Sequence, residues 1–168
     1  MYLTFDGLTF KGTRGDAVSI TGNGNTVKNC LIKNVAENAL RMTGYDNLVT
    51  GSEITRIGKG GVILDGGGRD LDVHDNIVIN TDCPIRYDCR MHNGLPGHEN
   101  SNFHSHFKEG GDCRVNLFAS PWKSEVRQAA YPQYRHYSDD FSKPDEPDFV
   151  LNPAYSSVRH NLLVTEKG

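Results

Sequence analysis

The sequence predicts an all-β chain wound as a parallel β-helix, and three observations carry that prediction. The first is a repeat. Ala17-Val18-Ser19-Ile20-Thr21-Gly22 is answered by Ala39-Leu40-Arg41-Met42-Thr43-Gly44, 22 residues later. The second is alternation of apolar and polar residues over three or four positions in each phrase, which is strand periodicity. The third is punctuation by Gly, Asn and Asp between the phrases, the residues that turns require. A chain of short strands repeating at this interval buries its apolar positions by stacking coil on coil, with like residues about 4.8 Å apart.

The elements follow in order. An apolar-x-x-z-x-apolar phrase recurs as Phe5/Leu8/Phe10, Val27/Cys30/Ile32, Val49/Ser52/Ile54 and Val73/Asn76/Val78, at steps of 22, 22 and 24. A second phrase keeps the same beat as Val18/Ile20, Leu40/Met42 and Val62/Leu64, trailed by Gly22, Gly44 and Gly66, and continues less perfectly as Ile85/Tyr87. No window before residue 115 carries the i, i+3, i+4, i+7 stripe that a helical solenoid needs, and the frame of a leucine-rich repeat is absent. Regular coils are therefore expected over residues 2–90 of a single 1–168 domain, at about 22 residues per coil.

From Asp82 to Pro153 the beat is lost, and the composition turns to His, Pro, Tyr and charge. Residues 91–153 read as an irregular arm. Ser120 is a candidate N-cap ahead of Pro121, with a short helix near 121–130, and "KPDEPDF" is a loop because of its prolines. "SSVRHNLLV" then restores the pattern as Val158/Asn161/Leu163, so residues 154–166 are expected to add a final coil.

Composition removes several function classes. A net charge of −3 without any Lys/Arg run gives no polybasic surface for nucleic acid. No segment has the apolar length of a membrane span, and no signal-peptide pattern follows Met1. "TGNGN" and "DGGGRD" lack the Lys and helix context of a phosphate loop and read as turns. Four cysteines are too few for a disulfide scaffold. Cys30 falls at a core position, while Cys83, Cys89 and Cys113 leave room for one disulfide, most simply Cys83–Cys89.

The stretch from "FDGLTFKG" to "VILDGGGRD" resembles the right-handed parallel β-helix of bacterial polysaccharide-degrading enzymes. Its z position (Leu8, Cys30, Ser52, Asn76) resembles the site where that group stacks asparagines, although only Asn76 keeps the asparagine. "PWKSEVRQAAYPQYRHY" through the closing "SSVRHNLLV" is similar to secreted β-helix proteins related to glycoside hydrolase family 141 and polysaccharide lyases. The resemblance implies a carbohydrate-active enzyme that cleaves glycosidic bonds by hydrolysis or β-elimination, in a secreted or periplasmic setting. It also implies further acidic coils between an opening and a closing segment such as these. Here the two join near Gly66–Asp70, which reads as a shortened relative or a fragment and keeps a non-catalytic, glycan-binding or structural β-helix fragment as the alternative.

With Val18/Ile20 and their counterparts inward, the outward columns of one face are Ser19/Arg41/Ile63/Arg86 and Thr21/Thr43/Asp65/Asp88. Asp65 and Asp88 would stand on adjacent coils, and close carboxylates raise each other's proton affinity, as an acid/base pair on a glycosidic bond requires. Arg86, Arg90 and His92 are the further catalytic candidates, the arginines for an acidic sugar or the charge of an eliminating carboxylate and His92 as a base. Arg41, Trp122, Tyr131 and Tyr134 are the candidate substrate contacts, the aromatics as platforms for sugar rings. The plainer reading of the same residues is a solubilising ion-pair ladder and loop-anchoring aromatics. No cofactor is required. His104-x-His106, completed by His92 or Cys113, is a candidate for zinc, and calcium is a further option. The expected partner is a polysaccharide or oligosaccharide. A coil stack beginning at Tyr2 also presents an unpaired coil end, which predicts end-to-end self-association.

Overall fold

The structure is a computed structural model that describes residues 2–65, 69–87, 104–143, 146–150 and 155–165. The chain divides into two compact units, Met1–Asp88 with Tyr155–Gly168, and Cys89–Ala154. Among the described residues no helix is long and apolar enough to cross a membrane.

The first unit is a β-solenoid with three parallel faces. The first face stacks β1 (Thr4–Asp6), β4 (Thr26–Lys28), β7 (Leu48–Thr50), β10 (Asp72–His74) and β13 (Ser157–Arg159). The second stacks β2 (Thr9–Lys11), β5 (Leu31–Val35), β8 (Glu53–Ile57), β11 (Ile77–Ile79) and β14 (Leu162–Val164). The third stacks β3 (Val18–Thr21), β6 (Leu40–Thr43), β9 (Gly60–Asp65) and β12 (Cys83–Tyr87).

Register follows the sequence period without slippage. Phe5, Val27, Val49, Val73 and Val158 form one column, and Phe10, Ile32, Ile54, Val78 and Leu163 another. On the third face Val18–Leu40–Val62–Ile85 and Ile20–Met42–Leu64–Tyr87 complete the interior. Val27, Ile32, Leu40, Ile54, Val62 and Val78 are fully buried. Each such side chain stabilises the fold by roughly 1.5–3 kcal/mol through removal from water. The last coil docks as expected, with Val158 over Val73 and Leu163 over Val78.

Corners explain the turn residues. Gly7, Asn29, Gly51, Asp75 and His160 occupy one column between the first and second faces, all with φ between 52° and 68°. This left-handed conformation is open to Gly and tolerated by Asn and Asp, which is why those residues recur there. The repeated glycine after the third face has a steric reason. Gly44 has φ +124°, and a Cβ there would stand 2.3 Å from the Gly22 carbonyl oxygen of the coil below.

Polar ladders seal the corners. At the z column, Cys30 N–H donates to Ser52 Oγ (3.1 Å), Ser52 N–H to Asn76 Oδ1 (3.0 Å), and Asn76 N–H to Asn161 Oδ1 (3.1 Å). Serine thus continues a ladder that the sequence shows as mostly lost. Cys30 is buried, as its core position predicted, and its thiol reaches the Lys28 carbonyl oxygen at 3.2 Å. A second ladder, unmarked in the sequence reading, runs through Asn25 and Asn47: Asn25 N–H donates to Asn47 Oδ1 at 2.9 Å and Asn47 Nδ2 to the Gly22 oxygen at 2.9 Å.

The second unit is helical. It contains α1 (His104–Phe107), α2 (Asp112–Ala119), α3 (Glu125–Ala130) and 3₁₀ turns at Pro121–Lys123 and Pro132–His136. The helix expected near 121–130 is interrupted at Ser124, whose Oγ, rather than that of Ser120, caps α3 by accepting from Arg127 N–H. Cys30, Cys83 and Cys113 are free thiols, and Cys89, the expected partner of Cys83, lies outside the described residues.

Candidate functional site on the third face

The outward side of the third face carries an alternating charge network across four coils. Arg41, on β6, donates from Nε to Asp16 Oδ2 at 2.9 Å and pairs through Nη1 with Asp65 Oδ2. Arg86, on β12, donates from Nη2 to Asp65 Oδ1 at 3.2 Å. Asp65, at the end of β9, therefore receives a guanidinium on each oxygen. The register that produces this arrangement pairs Arg41 with Ile63, Thr43 with Asp65, and Arg86 with Ile63.

Asp16 lies in the turn before β3 and was not singled out by the sequence reading. The signal was present in the period, because Asp16, Asn38 and Gly60 are spaced by 22. Asp16 Oδ1 accepts from Asn38 N–H (3.0 Å) and Nδ2 (2.8 Å), while Asn38 Oδ1 accepts from Gly60 N–H (3.1 Å). Burial is the largest single influence on the Asp16 carboxyl and disfavours its charge. The bonds from Arg41 and from Asn38 together outweigh it and hold the carboxyl below the ordinary carboxylate range. The Arg41 guanidinium is correspondingly strengthened, first by its bond to Asp16 and then, against the opposing effect of burial, by the charges of Asp65 and Asp16.

Beside the network lies a cleft of about 410 Å³ whose lining includes Glu37, Arg41, Lys59, Ile63, Asp82 and Arg86. Ile63 departs from its expected outward exposure. It is only 2% exposed and lies outside the coil-core cluster, as an apolar part of the cleft lining. Charged residues beside the apolar Ile63 suit a polar ligand with one hydrophobic side.

The remaining candidates fall elsewhere. Asp88, Arg90 and His92 lie outside the described residues, so the Asp65–Asp88 pairing does too. Trp122 is buried in the second unit, edge-on to Tyr134 with ring centres 6.3 Å apart, and Tyr131 and Tyr134 are half-buried at 5.3 Å. His106 Nδ1 pairs with Asp112 Oδ1 at 2.7 Å, and the side chain of His104 lies outside the described ones.

The first face holds a polar cluster that sequence reasoning passed over. His74 Nδ1 lies 2.8 Å from Asp75 Oδ2 and 3.2 Å from Thr50 Oγ1, and Arg159 Nη2 donates to Asp72 Oδ2 at 2.9 Å. The bond from His74 lowers the Asp75 carboxyl, against burial, with help from the charges of His74, His160 and Arg159. Asp72, His74 and Asp75 were visible in "LDVHDN", but their partners Arg159 and His160 come from a coil about 85 residues on.

Three in-register parallel faces, corner ladders and a charged outer strip define the class: a parallel β-solenoid bearing a lateral site. The model of right-handed β-helix regions matches residues 1–116. That is more than half of the chain, which therefore belongs to the right-handed β-helix family. No curated protein and no solved structure matches it.

Proposed function

We propose that the third face binds a polysaccharide and cleaves its glycosidic bonds, and that the ligand is an acidic one. The observation that carries this reading is the pair Arg41 and Arg86 flanking Asp65 beside the cleft. Right-handed β-helix regions are common to pectate lyases and glycosidases, and also to non-enzymes. The likeness of the chain to secreted bacterial β-helix proteins related to glycoside hydrolase family 141 favours the carbohydrate-active branch and an exported protein.

The chemistry fits a uronate. A guanidinium matches a carboxylate in planar, two-point fashion, so Arg86, which is exposed, suits the sugar carboxylate. In β-elimination a base removes the proton beside that carboxylate, negative charge spreads onto it, and the C–O bond to the leaving sugar breaks. An adjacent arginine stabilises the charge as it develops. In hydrolysis Asp65 and Asp88 divide the acid and nucleophile or base roles. In elimination the base is Asp88 or His92.

A second reading, a glycan-binding β-helix without turnover, has its own support. Both oxygens of Asp65 already accept from arginines, and as a proton donor it would have to release those bonds. The test is incubation with neutral and uronic-acid polysaccharides, following reducing ends and the ultraviolet absorbance of an unsaturated uronate. Asp65→Asn, Asp88→Asn and Arg86→Ala serve as controls. Activity lost in the Asp variants with folding intact supports an enzyme, and the absorbance separates elimination from hydrolysis. Saturable binding of uronate oligosaccharides without products, weakened by Arg86→Ala, supports the binder. Neither products nor binding would overturn both.

A further inference from the structure

Away from the charged strip, the second unit brings together one imidazole, one carboxylate and one thiol. His106, Asp112 and Cys113 each offer a ligand atom, and the three atoms lie within 4.8 Å of one another. All three side chains are exposed, so a solvated ion can reach them. Donor atoms around a tetrahedral zinc stand roughly 3.3–3.7 Å apart, given bond lengths of about 2.0–2.3 Å. Atoms within 4.8 Å of one another approach that spacing.

The local backbone is built for this approach. α1 carries His106, the chain reverses through Lys108–Gly111 with Gly111 N–H bonded to the Lys108 oxygen at 2.9 Å, and α2 opens with Asp112 and Cys113. Gly110 takes φ +77°. At Gly111 a Cβ would stand 2.5 Å from the His106 carbonyl oxygen, so only glycine lets the start of α2 lie this close to His106. Asp112 Oδ1 lies 2.7 Å from His106 Nδ1 and accepts from Cys113 N–H at 2.9 Å, which keeps the three residues together.

We propose that His106, Asp112 and Cys113 form a binding site for a divalent transition ion, zinc above all. A thiolate with an imidazole selects a borderline ion such as Zn²⁺ over the hard ions Ca²⁺ and Mg²⁺, which prefer all-oxygen shells. Binding converts the Cys113 thiol to a thiolate and releases its proton to solvent. The imidazole gives up its Nδ1 bond to Asp112 and binds as the neutral ring, one nitrogen on the ion and the proton on the other. Three protein ligands leave a fourth tetrahedral position for water or an added ligand, the arrangement of an open rather than a closed zinc site. The proposal does not rest on the polysaccharide reading of the third face.

The experiment uses the full chain, reduced and stripped with a chelator, then titrated with Zn²⁺ and with Co²⁺ as an optical substitute. The expected result is one ion per chain and a thiolate-to-cobalt charge-transfer band. Cys113→Ser abolishes the band. His106→Ala and Asp112→Asn each weaken zinc by at least the roughly 10- to 100-fold that loss of an outer partner costs. Gly111→Ala weakens it with all three ligands in place, and Cys83→Ser leaves it unchanged. Circular dichroism checks that each variant is folded. No stoichiometric zinc, a band that survives Cys113→Ser, or full affinity in Asp112→Asn would overturn the site.

Discussion

The coils and the helical excursion solve the same burial problem in opposite ways. In the coils every interior side chain has counterparts one period away, and the core is a set of columns that share their contacts. In the excursion α2 buries none of its residues. Packing there gathers around Phe149, which is fully buried against Phe107, Phe141 and Val150. The Phe141 ring stands edge-on to Phe149 at 5.0 Å and lies 3.8 Å beneath the Arg114 guanidinium. Repetition spreads stability over many equivalent contacts, whereas an aperiodic segment concentrates it in a few aromatic ones.

That contrast can be broken by mutation because the single tryptophan, Trp122, lies in the excursion. Its fluorescence reports one unit, while far-ultraviolet circular dichroism at the β-sheet minimum reports the other. The largest effect is expected for Phe149→Ala, about 3–5 kcal/mol of destabilisation. It should move the fluorescence transition in urea and leave the β-sheet transition in place. Ile54→Ala, in the middle of the second face, should cost about 2–5 kcal/mol and do the reverse. Coincident shifts in both probes for either variant would mean that the two units unfold as one.

The ladders sharpen the comparison. Asn47→Ala leaves Asn25 N–H without its acceptor and the Gly22 oxygen without its donor, so a loss of about 1–3 kcal/mol is expected in the coil transition. A smaller, pH-dependent effect belongs to Asp16. Its folded carboxyl lies below the ordinary carboxylate range, so its stabilising contribution is complete above that range and drains away as pH falls through the folded value. Asp16→Asn should therefore flatten the acid limb of the stability–pH curve, with little change near neutrality in its slope. The smallest effect is expected at the exposed Glu37–Lys59 pair, where Glu37→Gln should cost no more than about 1 kcal/mol, less in high salt.

Much of the coil unit was legible because a solenoid writes its geometry as a period. The spacing of Val27, Val49 and Val73 placed them in one column, and Val158 declared the return of the chain to that column after its excursion. Three of the four members of the charged strip were legible as well: alternation put Arg41, Asp65 and Arg86 on one outer face. Asp16 was missed because it stands in a turn, where alternation says nothing about direction.

The sequence by itself determined the coil fold, its register and the inward set of residues, because burial of a repeating apolar pattern admits one stacking solution. Tertiary structure alone decided which charges meet. It gave Asp65 two arginines, set Arg159 and His160 beside Asp72 and Asp75, buried Ile63 under an outward column, and folded His106 onto the start of α2. Such contacts join coils, or residues on either side of a glycine turn, and they depend on side-chain reach and on corner geometry. Neither of those quantities is carried by the period.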